Sequence, residues 1–331
     1  MQSSTRNVLV TGGAGFIGSH LCEALLARGD RVVALDDLST GSTANLERVL
    51  DSPRFELCTG SVTDAERVTE LVQRSELVIH LAAAVGVRLI VEQPVRTLET
   101  NVHGAETVLR AAASRRVPVF LASSSEVYGK GDRVPFREDD DLRLGPTHRA
   151  RWAYACSKAL DEWLAMAWHR QAGVPVVLAR FFNTVGPRQT GRYGMVLPTF
   201  AAQALAGEPL TVHGTGEQTR CFCHVRDTVE AVLRLTASPR APHVNGRVFN
   251  VGTDREVSML ELAELVGRAA RSSSPIALVP YEEVYGSGFE DMRRRVPDVG
   301  RLERATGFRP STALETIVAD VVAEQRARAA S

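Results

Sequence analysis

The chain has 331 residues, 44% of them hydrophobic, with 39 basic and 39 acidic side chains. That length allows a large buried core in one domain or two unequal ones, and the balanced charge argues against nucleic-acid or anionic-membrane partners, which need a basic surface. Five cysteines without zinc-type spacing (Cys221 and Cys223 flank a single residue) read as reduced thiols, and no metal site is expected.

In chain order, "MQSSTRN" runs straight into "VLVTGG" with no apolar signal-peptide core. No apolar run approaches the ~20 residues of a membrane span. A cytoplasmic protein is therefore expected. "NVLVTG" (7–12), "RVVALDD" (31–37), "RFELCTG" (54–60), "LVIHLAA" (77–83), "VPVFLASS" (117–124) and "VPVVLARFF" (174–182) read as buried strands. Helical stretches lie between them at Gly15–Arg28, Ala65–Arg74, Asn101–Ser114 and Tyr154–Gln171. This alternation predicts an α/β fold of the Rossmann type, a doubly wound parallel sheet covered by helices on both faces.

After Asn183 the strands shorten ("PLTVHG", "VFNVGT") and the connections become rich in Gly and Pro. Residues 1–182 are read as a nucleotide-binding domain and 183–331 as a smaller α/β substrate-covering lobe, with a soft, interleaved boundary. Ser258 and Glu261 before "LAELV" form a capping-box signature for one more helix. Two helices carry apolar stripes, Leu160/Trp163/Leu164/Ala167/Trp168 and Val102/Ala105/Val108/Leu109/Ala112. Each could pack on the parent sheet or pair helices across a dimer.

"TGGAGFIG" places Gly12, Gly15 and Gly18 directly after the first strand, with Phe16 and Ile17 opening the helix. Such a loop lets backbone N–H groups approach a pyrophosphate at a helix N-terminus. Asp36, followed by Asp37, ends the second strand, where a carboxylate accepts from both ribose hydroxyls and repels a 2′-phosphate. NAD is thus expected over NADP. Tyr154 and Lys158 form the only Y-x-x-x-K and share one helix face. An ammonium about 4 Å from the phenol would stabilise the phenolate by roughly 4 kcal/mol, about three pKa units at an effective dielectric near 20. The tyrosinate could then take a proton from a sugar hydroxyl.

By these markers the chain resembles the extended short-chain dehydrogenase/reductase family of NAD-dependent nucleotide-sugar epimerases, dehydratases and decarboxylases. The resemblance runs through "TGGAGFIG", "HLAA" (80–83), "SSSEVYG" (123–129), "YACSK" (154–158), "RFFNTVGPRQ" (180–189) and "GEQTRCFCHVRD" (216–227). It implies Tyr154 as base, Lys158 as its orienter and Ser124 as a hydrogen-bonding partner of the sugar O4. Asn183 would help hold the sugar, and Arg220 and Arg192 the diphosphate of a nucleotide-sugar, a UDP-sugar above all. It extends the cofactor-binding set to Val62, Ala82, Ala83 and Asn101, and implies a homodimer. Ser61 departs from the family, which often places an Asp there against the adenine.

The reaction is read from Ser124-Ser125-Glu126. Relatives that dehydrate at C4 and C6 have Thr-Asp-Glu here, and without the Asp the acid that expels water is missing. UDP-glucuronate decarboxylases resemble the chain better, with Thr-Ser-Glu and an arginine matching Arg295 in "RRRVPD" (293–298). In that reading Glu126 manages protonation near C5 and Arg295 positions the carboxylate. The alternative is a UDP-sugar 4-epimerase, in which Arg295 grips the diphosphate. A dehydratase and a non-catalytic dinucleotide sensor stand behind both. "EDDDLR" (138–143) reads as a solvated acidic loop over the site.

Overall fold

Alternating β-branched residues in "NVLVT" send Val8 and Val10 into one core and Leu9 into another, as the two-residue period of a strand requires. The computed structural model of the protein describes residues 5–86, 93–149, 151–191, 194–285 and 292–330. In it this segment is β1 (Asn7–Thr11), at the middle of a seven-stranded sheet. The sheet also contains β2 (Arg31–Asp36), β3 (Phe55–Thr59), β4 (Leu77–His80), β5 (Val119–Ser124), β6 (Val176–Phe181) and β11 (Arg247–Val251). Their order is β11-β6-β5-β4-β1-β2-β3, and every pairing is parallel. This is the Rossmann arrangement the alternation predicted.

Helices cover both faces. On one lie α1 (Phe16–Ala27), α6 (Val225–Leu235) and α9 (Gly300–Thr306). On the other lie α2 (Ala65–Gln73), α3 (Pro94–Ala113) and α4 (Arg151–Ala172). α3 begins at Pro94, seven residues before its expected start at Asn101, and the apolar residues of its first turns, Val95 and Leu98, are exposed and not packed on the sheet. Proline at the start of a helix gives up only an N–H that would lack a partner anyway. β4 stops at His80, before its expected end, because the next residues lie over the glycine loop. A Cβ on Gly12 would sit 2.8 Å from the Ala82 nitrogen.

The smaller layer holds a third core, built from α5 (Val196–Ala206), α7 (Met259–Ala270) and α10 (Leu314–Ala330). The predicted capping box of α7 is present: Glu261 N donates to Ser258 Oγ at 3.1 Å, and Ser258 N to Glu261 Oε2 at 2.9 Å. Beyond residue 183 lie also the short strands β7 (Thr184–Val185), β8 (Leu210–His213), β9 (Thr219–Cys221), β10 (Cys223–His224), β12 (Glu256–Ser258), β13 (Ile276–Val279) and β14 (Arg294–Arg295) and the short helix α8 (Tyr281–Tyr285). β9 and β14 pair in parallel with Arg295 opposite Arg220. The chain interleaves: β11, α6 and α9, all from beyond residue 183, complete the large sheet and one of its faces. No helix among the described residues is long and apolar enough to cross a membrane.

Candidate active site

The carboxyl ends of β1, β2, β4 and β5 open into a cavity of about 970 Å³ that continues under the smaller layer to Arg220 and Arg295. Ligands of open parallel sheets bind at this edge. At one end the glycine loop closes on itself. Gly12 has φ +72°, and a Cβ on Gly18 would lie 2.0 Å from the Gly12 carbonyl oxygen, so no side chain fits there. The helix it opens, α1, has Gly15 as N-cap with no side-chain cap and no acid in its first turn. Its first amides therefore remain donors for an anion, reinforced by the helix dipole. Phe16, Ile17, Val62, Ala82 and Ala83 line the same end.

Asp36 turns its carboxylate into this space while fixing the loop beside it. Oδ2 accepts from Ala14 N and Oδ1 from Leu38 N, both at 2.9 Å. Burial pushes its carboxyl up, and the backbone N–H groups oppose that rise. Lone pairs remain for a diol, and the anion disfavours a phosphate next to it. Asp37 lines the cavity but spends Oδ1 on Ser39. The side-chain-free loop, the uncapped helix and the carboxylate together fit NAD. Ser61 is engaged in a turn with Thr63 at 2.8 Å, and Asn101 is fully buried, accepting from Ala84 N at 2.8 Å and donating to Ser157 Oγ at 3.1 Å. Neither lines the cavity. Asn101 instead fixes the loop after β4 against α4.

Tyr154 and Lys158 lie one turn apart on α4 and both line the cavity. Tyr154 is hydrogen-bonded to Ser124, whose hydroxyl also accepts from Glu126 N at 3.2 Å. The expected lowering of the phenol by Lys158 is not what the protein's own groups produce. Burial pushes Tyr154 well above its ordinary value, the Ser124 hydrogen bond draws it down, and Glu126 and Asp161 push it up again. The Lys158 ammonium donates to Asp161 Oδ2 at 3.1 Å in a buried pair, which offsets its charge. Arg151 opposes this rise, and a bound nicotinamide cation would act in the same sense as Arg151.

Glu126, in the turn after β5, is 8% exposed and clamped on both sides. Arg295 Nη1 donates to Oε1 at 2.5 Å, and Arg151 Nη1 lies 2.6 Å from Oε2. Burial alone would raise this carboxyl. Arg151, Arg295 and, behind them, Arg220 outweigh burial and hold it at about 2. Glu126 is thus a carboxylate at any physiological pH, and in this arrangement it is an acceptor and not an acid. Ser125 is nearly fully buried, with Arg295 Nη1 at 3.5 Å. The arginine run before Pro297 splits: Arg294 faces out onto Glu256, while Arg295 turns in.

Arg151, Arg220 and Arg295, all buried, gather around the Glu126 carboxylate on the cavity wall, and Arg295 Nε is a buried donor with no hydrogen-bond acceptor among the described residues. Such a pocket suits an anion. Arg220 donates to the Thr219 carbonyl at 2.8 Å, and Asn183, also on the cavity wall, donates to the Cys221 carbonyl at 3.0 Å. Arg192 lies outside the described residues. Sequence reading missed Arg151, although its place three residues before Tyr154 puts both on one helix face. The "EDDDLR" segment is a correction as well. Glu138 is 8% exposed, accepts from Asn250 N at 2.9 Å, and its carbonyl accepts from Arg180. It ties β11 and β6 together, while Asp139 and Asp141 stay exposed. No group of three His, Cys, Asp or Glu side chains suited to a metal occurs among the described residues.

Residues 8–252 match the NAD dependent epimerase/dehydratase family. A relative from Bacillus cytotoxicus, a UDP-N-acetyl-alpha-D-glucosaminuronate decarboxylase, is 41% identical over 311 residues, 94% of each chain. UDP-glucuronic acid decarboxylase 1 of Arabidopsis thaliana is 36% identical over 97% of this chain and 70% of its own length. Among solved structures, the Thermus thermophilus UDP-glucose 4-epimerase in complex with NAD superposes with a TM-score of 0.83 at 30% identity, covering 97% of this chain and 99% of that one.

Proposed function

The chain belongs to the NAD dependent epimerase/dehydratase family, and from that premise we propose that it decarboxylates a UDP-linked uronic acid, UDP-glucuronate or its 2-acetamido counterpart. The observation that carries this reading is Arg295, buried on the cavity wall with Nη1 on Glu126 and with Nε left without a hydrogen-bond acceptor among the described residues. A neutral hexose, the substrate of a 4-epimerase, brings no charge to this guanidinium. A C6 carboxylate balances it.

Bound NAD supplies the acceptor, and later the donor, of the hydride at sugar C4. Tyr154 takes the O4 proton, with Ser124 holding the same oxygen and Lys158 ordering the tyrosine and the ribose. A carbonyl at C4 is β to the C6 carboxylate. The C5–C6 bond can then break, its electron pair passing into the carbonyl as carbon dioxide leaves. Arg295 orients the departing carboxylate, Arg220 and Asn183 hold the diphosphate and sugar, and the Glu126 carboxylate orients the water that returns a proton to C5. Gly12, Gly15, Gly18 and Asp36 bind the cofactor in this reading, and the layer beyond residue 183 covers the substrate.

The test is incubation with NAD and each of the two UDP-uronates, followed by mass spectrometry. A product lighter by one carbon dioxide is expected from one of them. An isomer of unchanged mass with a new retention time would make the protein an epimerase. No conversion of either acid would remove the decarboxylase reading.

We also propose a homodimer. Val95 is 66% and Trp163 64% exposed, with Leu98 and Leu160 beside them, on the packed pair α3 and α4. Of the two stripes noted above, Leu164 and Trp168 join the sheet core, while Leu160 and Trp163 point away from it. An apolar helix pair of this kind is covered in solution by its own copy. Wild-type protein should elute at twice the chain mass in light-scattering chromatography, and Trp163→Glu at the chain mass. A monomeric wild type would end the proposal.

A further inference from the structure

The two arginines on Glu126 come from different layers. Arg295 belongs to β14 and lies opposite Arg220, whereas Arg151 opens α4, the helix that carries Tyr154. Around the Glu126 carboxylate stand Arg151 and Tyr154 from α4, Arg295 from β14 and Arg220 from β9. Arg295 and Arg220 face the cavity from the layer assigned to the substrate, so an incoming carboxylate competes with Glu126 for the Arg295 guanidinium. Arg151 lines the same cavity at 5% exposure, but it is anchored one helical turn from Tyr154 on the helix that carries the tyrosine.

We propose that Arg151 is a positioning residue: it keeps Glu126 anchored as a carboxylate beside Tyr154 while Arg295 is drawn to the substrate. The role of Arg295 rests on the decarboxylase reading, but the hold of Arg151 on Glu126 does not. With both arginines in place the carboxyl is held at about 2. A guanidinium in contact depresses a carboxylate by about one to three pH units, so loss of Arg151 must release part of that depression.

The experiment compares wild type, Arg151→Met and Arg151→Lys as full-length protein with carboxyl-13C-labelled glutamate. The Glu126 resonance is assigned by its disappearance in Glu126→Gln. In Arg151→Met the midpoint should rise by about one to three pH units, and Arg151→Lys, which keeps the charge without the fork, should fall between. Arg295 and Arg220 still neutralise Glu126 in these variants, so folding is retained. In turnover, kcat of Arg151→Met should fall about 10- to 100-fold with KM little changed, and the acid limb of its pH profile should move up with the carboxyl. An unmoved Glu126 titration would overturn the proposal, as would a loss confined to KM, which would make Arg151 a substrate ligand. If wild type releases no carbon dioxide from either UDP-uronate, the functional reading fails and the carboxyl titration alone decides on Arg151.

Discussion

Tyr154→Phe is expected to lower turnover by about 10²- to 10⁴-fold, the range for removing a positioned general base, while the protein stays folded and keeps its cofactor. The phenol oxygen is the only group lost. Phenylalanine fills the same buried volume, and the change removes one hydrogen bond to Ser124, worth about 1 kcal/mol. The cofactor cradle at Gly12–Gly18 and Asp36 lies on other elements and is untouched. Product formation, a thermal melt and the nucleotide content of the purified variant check the three parts of this expectation. Retention of more than about a tenth of wild-type turnover would remove Tyr154 from the proton chemistry.

The pH dependence has a definite sign. Burial, then Glu126 and Asp161, raise the Tyr154 phenol, so the base form gains population as pH rises and the limb of kcat governed by Tyr154 climbs toward alkaline pH. Negative neighbours disfavour the phenolate. Any variant that removes one of them moves this limb to lower pH.

What could be read from the sequence was what is local in the chain. The glycine loop, Asp36 and the Tyr154–Lys158 spacing are each set within one strand–turn–helix unit, and the strand alternation carries the sheet. The pairs that give the site its charge are not local. Arg295 reaches Glu126 across 169 residues, and nothing in "RRRVPD" tells which arginine turns inward until β14 pairs with β9. "VFNVGT" reads as a short buried strand in either layer. Only its pairing with β6 makes it the seventh strand of the large sheet. Glu138 looks solvated inside an acidic run, yet its acceptors are what the backbone of β11 and the Arg180 side chain require. The pairing of Lys158 is local as well. Asp161, one turn further along the same helix, takes the ammonium, and at i+3 that competition was visible in the sequence.

Glu126→Gln should abolish carbon dioxide release and destabilise the protein by about 3 kcal/mol at neutral pH, with the difference from wild type disappearing in acid. In the folded protein the Glu126 carboxyl is depressed from 4.5 to about 2, so its contribution is fully present above the unfolded value and is lost as pH falls through the folded one. The size of that depression corresponds to about 3 kcal/mol, close to the cost of breaking a buried ion pair by removing one partner. Glutamine keeps the shape and removes the charge, leaving Arg151, Arg220 and Arg295 buried together. Urea unfolding of both proteins at neutral pH and near pH 3 tests this directly, since the gap should narrow as the wild-type carboxyl begins to protonate. The double variant Glu126→Gln/Arg295→Met separates the two roles. Removing the guanidinium that Glu126→Gln leaves without its carboxylate should restore much of the stability, but not activity, because the groups that serve the C6 carboxylate and the C5 proton are then both gone. Equal stability of Glu126→Gln and wild type at every pH would mean that the arginine cluster does not depend on Glu126 for its counter-charge, and the argument for an anionic sugar would lose its electrostatic basis.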